Sequence, residues 1–345
     1  MSNARRTIAC LLIGVGALLL AAAVMVPTYT VGKVAKTPLD LQVTTIAKSV
    51  PGEESRVLDA RSLTSPEGSA RIDTDVPIVS QRFLTVEEPS GADQMTLQAG
   101  QTLRRDDRDG DTGLLTASVD RVTIDRRTGE PIPVSPNGSI ALTVDRSGDS
   151  VADPSQRAGL QYRFPIGTEK KSYPYFDLNA RATYDIDYID ESEVNGVPVY
   201  HFRQTIPVTN MWDVFPAATN KLTLPAAKWG LEGDEQVTMT RFYTNTRDVW
   251  VEPRTGAILK GGEQLHLYYG RSAERVDVTA LKAHLVFDED TIDAQMAVTR
   301  DSLDRLTLFG RTLPIGVAVV GGTALLTGII LGVRSGISRR RRGVR

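Results

Sequence analysis

Two long uncharged stretches constrain this 345-residue chain more than any other feature. Thr7 to Val26 runs for twenty residues without a charge, and Leu313 to Val333 for twenty-one. As helices, at about 1.5 Å per residue, each spans a hydrocarbon core of about 30 Å. No water reaches backbone groups inside lipid, so a helix is the only single-segment way across. A cleaved signal peptide is the competing reading of the first run, because Arg5 and Arg6 precede it and Ala21 to Ala23 lie near its end. The apolar stretch continues through Val24, Met25 and Val26, past the usual signal length of about 7–15 residues, which favours a retained anchor.

Charge sets the orientation. Residues 1–26 and 313–345 hold no Asp or Glu but carry Arg5, Arg6, Arg334, Arg339 to Arg342 and Arg345. Positive flanks stay in the cytoplasm, and six arginines follow the second run, so both ends are expected there, in the inner membrane. The organisation predicted is a cytoplasmic tip and first transmembrane helix (1–26), an extracytoplasmic β-rich domain (27–312), a second transmembrane helix (313–333) and a basic cytoplasmic tail (334–345). The formal net charge of −2 conceals an acidic middle that holds all 42 Asp and Glu. Such a surface repels phosphate backbones, which argues against a nucleic-acid partner. Gly328 and Gly332 form a G-x-x-x-G in the second run, a spacing that lets helices approach closely in lipid.

Between the runs, 77–87, 114–125, 183–190 and 197–208 alternate apolar and polar residues and are rich in Val, Ile, Thr and Tyr. That period of two marks half-buried strands. Strands are also expected at 236–245, 248–252, 264–269 and 281–287. The fold class is therefore a mainly β (α+β) ectodomain, an antiparallel sheet or barrel, with a transmembrane helix at each end. Two turns share Arg-Thr-Gly, in VTIDRRTGEP (122–131) and VWVEPRTGAIL (249–259). In each, a strand should lead into the turn and a return strand out of it, with Gly129 and Gly256 supplying the positive φ of a bulged hairpin. Segments 88–113 and 135–160, rich in Gly, Pro, Ser and Asp, read as loops. Residues 290–310 carry Ile292, Met296, Leu303 and Leu306 at helical spacing and read as a juxtamembrane helix.

Catalytic and metal signatures are missing from the sequence. It contains no G-x-x-x-x-G-K-[ST], G-x-S-x-G or H-E-x-x-H, and RRDDRDGDTG (104–113) fails the calcium-loop spacing. His201, His266 and His284 lie far apart on strands, and Cys10, the single cysteine, sits in an apolar run. No catalytic residue, metal or cofactor is expected, and the chain reads as a non-enzyme.

Several segments, taken with the two terminal runs, resemble the actinobacterial porin PorA family of envelope proteins. They are PTYTVGKVAKTPLDLQVTT (27–45), YRFPIGTEKKSYPYFD (162–177), VPVYHFRQTIP (197–207) and VEPRTGA (251–257). The resemblance implies an envelope that carries mycolic acids and lipoglycans. It also implies a role in binding or handling lipid or glycolipid during envelope assembly. Two further readings stand beside that one: a structural partner of an envelope glycosyltransferase, transporter or other membrane protein, and a porin-like channel. Thr168, Glu169, Lys170, Lys171, Tyr173 and Tyr175 mix charge with aromatic rings and form the candidate binding surface; a hairpin with both tyrosines in the core is the alternative.

Overall fold

A computed structural model describes residues 2–26, 28, 35–143 and 150–342. Residues 27 and 29–34 at the exit of the first span, and Arg345 in the basic tail, lie outside the described residues. The chain divides into two compact units, Met1–Lys36 with Arg300–Arg345, and Thr37–Thr299.

The first unit is built on helix α1 (Ser2–Met25) and helix α3 (Leu313–Arg342). Helices long and apolar enough to cross a membrane cover Ala4–Met25 and Glu289–Arg334. Small residues let α1 and α3 meet backbone to backbone. A Cβ added at Gly16 would stand 2.6 Å from the Leu325 nitrogen and 2.7 Å from the Gly321 oxygen. One at Gly328 would stand 2.9 Å from the Ile13 nitrogen, whereas one at Gly332 would make an ordinary 4.0 Å contact with Ala9. The other faces are apolar and open, with Leu18, Val319 and Leu326 more than half exposed. Helix α2 (Glu289–Thr307) precedes a π-helical turn at Leu308–Thr312.

The second unit contains one antiparallel sheet of fifteen strands. In chain order these are β1 (Gln42–Ser49), β2 (Arg56–Asp59), β3 (Arg71–Thr74), β4 (Ile78–Glu87), β5 (Gln94–Arg105), β6 (Leu114–Asp125), β7 (Gly138–Thr143) and β8 (Ser150–Ser155). There follow β9 (Tyr173–Asp177), β10 (Ala182–Val194), β11 (Val197–Asn210), β12 (Lys221–Pro225), β13 (Gln236–Glu252), β14 (Ala257–Gly270) and β15 (Val278–Phe287). Across the sheet the order is β8-β7-β6-β5-β4-β1-β15-β14-β13-β11-β10-β9, with β12 beside β13 and β2–β3 beside β15.

The sheet bends back on itself. Ile78 on β4 and Leu103 on β5 share a buried cluster with Ile206 on β11, Tyr243 on β13 and Leu265 on β14. Strands β4 and β13 are separated in the order by β1, β15 and β14, so only a curled sheet brings these side chains together. Strong twist and coil are the normal behaviour of a large antiparallel sheet. The chain between β8 and β9 then crosses the gap. Leu160 N–H donates to the Pro174 carbonyl, Phe164 N–H to Gly256 and Ile166 N–H to Arg127, at 2.8–2.9 Å. Phe164, fully buried, packs 4.7 Å from the Phe202 ring and 5.5 Å from Tyr173. Burying such a ring contributes about 1.5–3 kcal/mol.

Two sequence expectations need correction. Segment 88–113 contains β5, and 135–160 contains β7 and β8. In β5 the inward residues Met95, Leu97, Ala99 and Leu103 alternate with Gln98, Gly100 and Thr102, small and uncharged residues that blur the period-two contrast. The turn after β6 returns through a single bridge, Ile124 to Pro131, and its return strand β7 pairs with β6 only from Gly138 onward.

Candidate functional site

Charged and amide side chains occupy the inside of the curled sheet, where an apolar core is the usual solution. They gather at two places. At the first, Arg157 and Asp120 are both fully buried. Arg157 Nη1 donates to Asp120 Oδ2 at 2.8 Å and Nη2 to Oδ1, a bidentate fork. Gln161 and Tyr162 also donate to Asp120 Oδ2. Burial, then the Asp120 charge, pushes the Tyr162 hydroxyl well above its usual range.

At the second place Arg247 holds three partners. Its Nη2 donates to Asp177 Oδ2 at 2.9 Å, Nε to Glu263 Oε1 at 2.7 Å and Nη1 to Gln204 Oε1 at 2.6 Å. Tyr243 donates to Asp177 Oδ2 at 3.1 Å, and the Ala180 N–H to Oδ1 at 2.8 Å. Gln204 in turn donates to the Tyr175 and Tyr184 carbonyls, tying β11 to β9 and β10. Burial pushes the Glu263 carboxyl up, but Arg247 and Arg82 outweigh it and hold it below the ordinary carboxylate range. Arg82, on β4, lies 5.7 Å over the Tyr162 ring, so it reaches both places from the opposite wall. Each of these three carboxylates is held by an arginine. The seam can fix geometry and bind by charge, but none of them is a free base.

The residues singled out from the sequence divide between core and surface. Thr168 is buried: its N–H donates to Pro253 O at 2.7 Å and its hydroxyl to Pro165 O at 2.8 Å. Tyr173 and Tyr175 are buried as well, the first accepting from the Glu169 N–H and the second donating to Gln161 O. Glu169, Lys170 and Lys171 are exposed. Lys171 pairs with Glu169 at 2.8 Å, and Lys170 pairs with Glu191 while lying 5.4 Å over Tyr200. Three members of the run thus point into the core and three outward. Gly129 and Gly256 both have positive φ, +73° and +71°. Each turn packs on 163–168: an added Cβ at Gly129 would stand 3.1 Å from Arg163 O, and one at Gly256 would collide with Phe164 O.

Sequence reasoning missed Asp120, Arg247 and Glu263, and reached Asp177 only as the last residue of the run 168–177. The available signal was a charge at an inward position of an alternating strand, as in Val249-Asp248-Arg247 and TASVDRV. The histidines do not converge. His201 Nε2 lies 2.7 Å from Asp248 and His284 Nδ1 2.8 Å from Glu53, while His266 has a buried Nε2 without a partner. Among the described residues no group of three or more His, Cys, Asp or Glu is arranged to hold a metal.

The pattern of one protein family, described as Porin PorA, matches residues 8–330. A "Porin PorA" of Corynebacterium amycolatum is 32% identical, over 96% of this chain and 98% of that protein. Another, of Corynebacterium resistens, is 30% identical over 96% and 97%. With both terminal helices able to span a membrane, the location is a membrane or envelope one. The match runs from within the first span almost to the end of the second, and on that footing the chain belongs to the porin PorA family.

Proposed function

We propose that this chain works as a porin-type protein in which copies assemble side by side and the conducting path is lined by α3. The family and both relatives carry the porin name. The sheet is a poor candidate for the path across the membrane. A transmembrane barrel needs closed pairing and an apolar outer band. Here β8 and β9 end the order without pairing to each other, and outward positions such as Thr44, Gln81 and Gln98 are polar. Crossing the bilayer falls to α1 and α3, and two helices enclose nothing alone.

The observation that carries this reading is a pair of hydroxyls. Thr323 and Thr327 lie one turn apart on α3, both exposed, on a face other than the glycine face that meets α1. Their hydroxyls donate back to Val319 O at 2.9 Å and Thr323 O at 2.7 Å, and their oxygens remain able to accept from water. In this arrangement the arginine-flanked ends are cytoplasmic, the span lies in the inner membrane and the sheet unit stands outside it. A lipid-handling role calls for an apolar tunnel; Phe164, Tyr162 and the charged seam occupy the inside of the sheet and lend that role no support. Reconstituting the full chain in planar bilayers tests the channel. Stepwise conductance is expected, reduced in Thr323→Val/Thr327→Val. Bilayers that stay silent, or steps unaltered in the double variant, overturn it.

A further inference from the structure

Arg163 is a cation without an anion. Its Nη2 donates to the Thr255 carbonyl at 2.6 Å, and its Nε is shielded from solvent and has no partner. Among the described residues no carboxylate pairs with it, and burial alone lowers its pKa to about 10. A desolvated charge left unpaired is costly, and proteins usually avoid it by supplying a counter-charge.

Arg163 lies at the junction of the two Arg-Thr-Gly turns, where Ile166 N–H bonds Arg127 O and Thr168 N–H bonds Pro253 O. Arg127 and Arg254 occupy the equivalent position of each turn, two residues before the glycine. Two acids of these turns, Asp125 and Glu252, are engaged within the turns themselves. Asp125 Oδ1 accepts from the Arg127 and Thr128 amides at 2.8 Å. Glu252 accepts from the Arg254 amide and from the amide and hydroxyl of Thr255, at 2.6–3.0 Å. Arg163 itself keeps partial exposure, which leaves a way in.

We propose that Arg163, wedged between the two turns, anchors a binding site for a phosphate group, free or carried by a lipid head group. A guanidinium fork matches phosphate oxygens, and a phosphate supplies the negative charge that Arg163 lacks. The site is independent of the conduction reading and survives or falls without it.

The test is calorimetric titration of inorganic phosphate into the full chain in a non-ionic detergent, against chloride at equal ionic strength. Saturable single-site binding is expected, weakened at least ~10-fold in Arg163→Met and also weakened in Arg163→Lys, which keeps the charge and loses the fork. Arg163→Met removes an unpaired charge, so its melting temperature in phosphate-free buffer should match or exceed the parent's. A parent chain that shows no saturable phosphate binding overturns the proposal whatever the variants do, and so does undiminished binding in Arg163→Met. Displacement of bound phosphate by short-chain phosphatidylglycerol assigns the site to a lipid head group, and failure to displace assigns it to free phosphate.

Discussion

Three glycines with nearly equal backbone angles give a graded test of how the segment 157–168 is seated. Gly196, Gly129 and Gly256 have φ of +77°, +73° and +71°. Alanine in this region costs about 1–2 kcal/mol from the backbone alone. At Gly196 nothing lies within 4 Å of the added Cβ, so that cost is the whole effect. At Gly129 the Cβ meets Arg163 O at 3.1 Å and Cγ at 3.2 Å, which adds roughly 1 kcal/mol of overpacking. At Gly256 it collides with Phe164 O and stands 2.7 Å from the Phe164 carbon and Pro165 O, all backbone. Relief there requires the segment to move. That loses the Phe164 N–H bond to Gly256 O, about 1 kcal/mol, and part of the 1.5–3 kcal/mol from the buried Phe164 ring. The sum for Gly256→Ala is about 4–5 kcal/mol. At about 2–4 °C per kcal/mol, Gly196→Ala should lower the melting temperature by a few degrees and Gly256→Ala by about 10 °C or more. The assay is thermal unfolding of the full chain in detergent, followed by the circular dichroism of the sheet. Equal losses at Gly196 and Gly256 would refute the seating of this segment between the turns.

Arg157→Met leaves Asp120 buried without its partner and should cost about 3–5 kcal/mol in the same assay; a loss under ~1 kcal/mol would mean that the pair is open to water. His266 gives a pH dependence: burial, then the Lys282 charge, holds its imidazole below the ordinary value. The unfolded chain therefore takes up a proton first, so the contribution is complete above the unfolded pKa, about 6.5, and is lost as the pH falls toward the folded value. His266→Gln should flatten the stability profile between pH 7 and 5, and an unchanged slope would exclude this residue as the cause. In the membrane unit, cysteines replacing Ala9 and Gly332 in a Cys10→Ser background should form a disulfide, because the Cβ positions are 4.0 Å apart. Adding Gly328→Leu should abolish that cross-link, while Gly322→Leu, with nothing within 4 Å, should leave it intact.

The spans were legible because a charge-free run of twenty residues has few alternatives, and the long strands because Val, Ile and Tyr alternate with polar residues. Strand β5 was hidden by its outward Gln, Gly and Thr, which carry too little contrast for a period of two to emerge. The Arg-Thr-Gly turns were readable as turns, yet nothing local shows that both clasp the same distant segment, since the partner 163–168 is far off in sequence. The same holds for the candidate site. TEKKSYPYFD mixes charge and aromatic residues, but which of them face inward depends on β9 pairing with β10, and its last residue, Asp177, is the one that reaches Arg247.

The charged interior has a physical rationale in the register of the sheet. A strand that slips by two residues keeps every side chain on its proper face, so apolar packing discriminates weakly against it. Such a slip shifts a strand by about 6.6 Å, far beyond the reach of a hydrogen bond. Asp120 stands on β6 and meets Arg157 beyond β8; Asp177 ends β9 and meets Arg247 on β13. Both pairs tie the two ends of the chain segment 157–177 to the sheet it must close. An open sheet of fifteen strands has no closing row of main-chain bonds to fix that alignment. Buried ion pairs add little net stability over apolar replacements, but a misaligned pair is heavily penalised. The Asp120–Arg157 and Asp177–Arg247 pairs stand where the segment closes the sheet, as a role in alignment requires, and Glu263, paired with Arg247 from the neighbouring strand β14, holds that arginine in place.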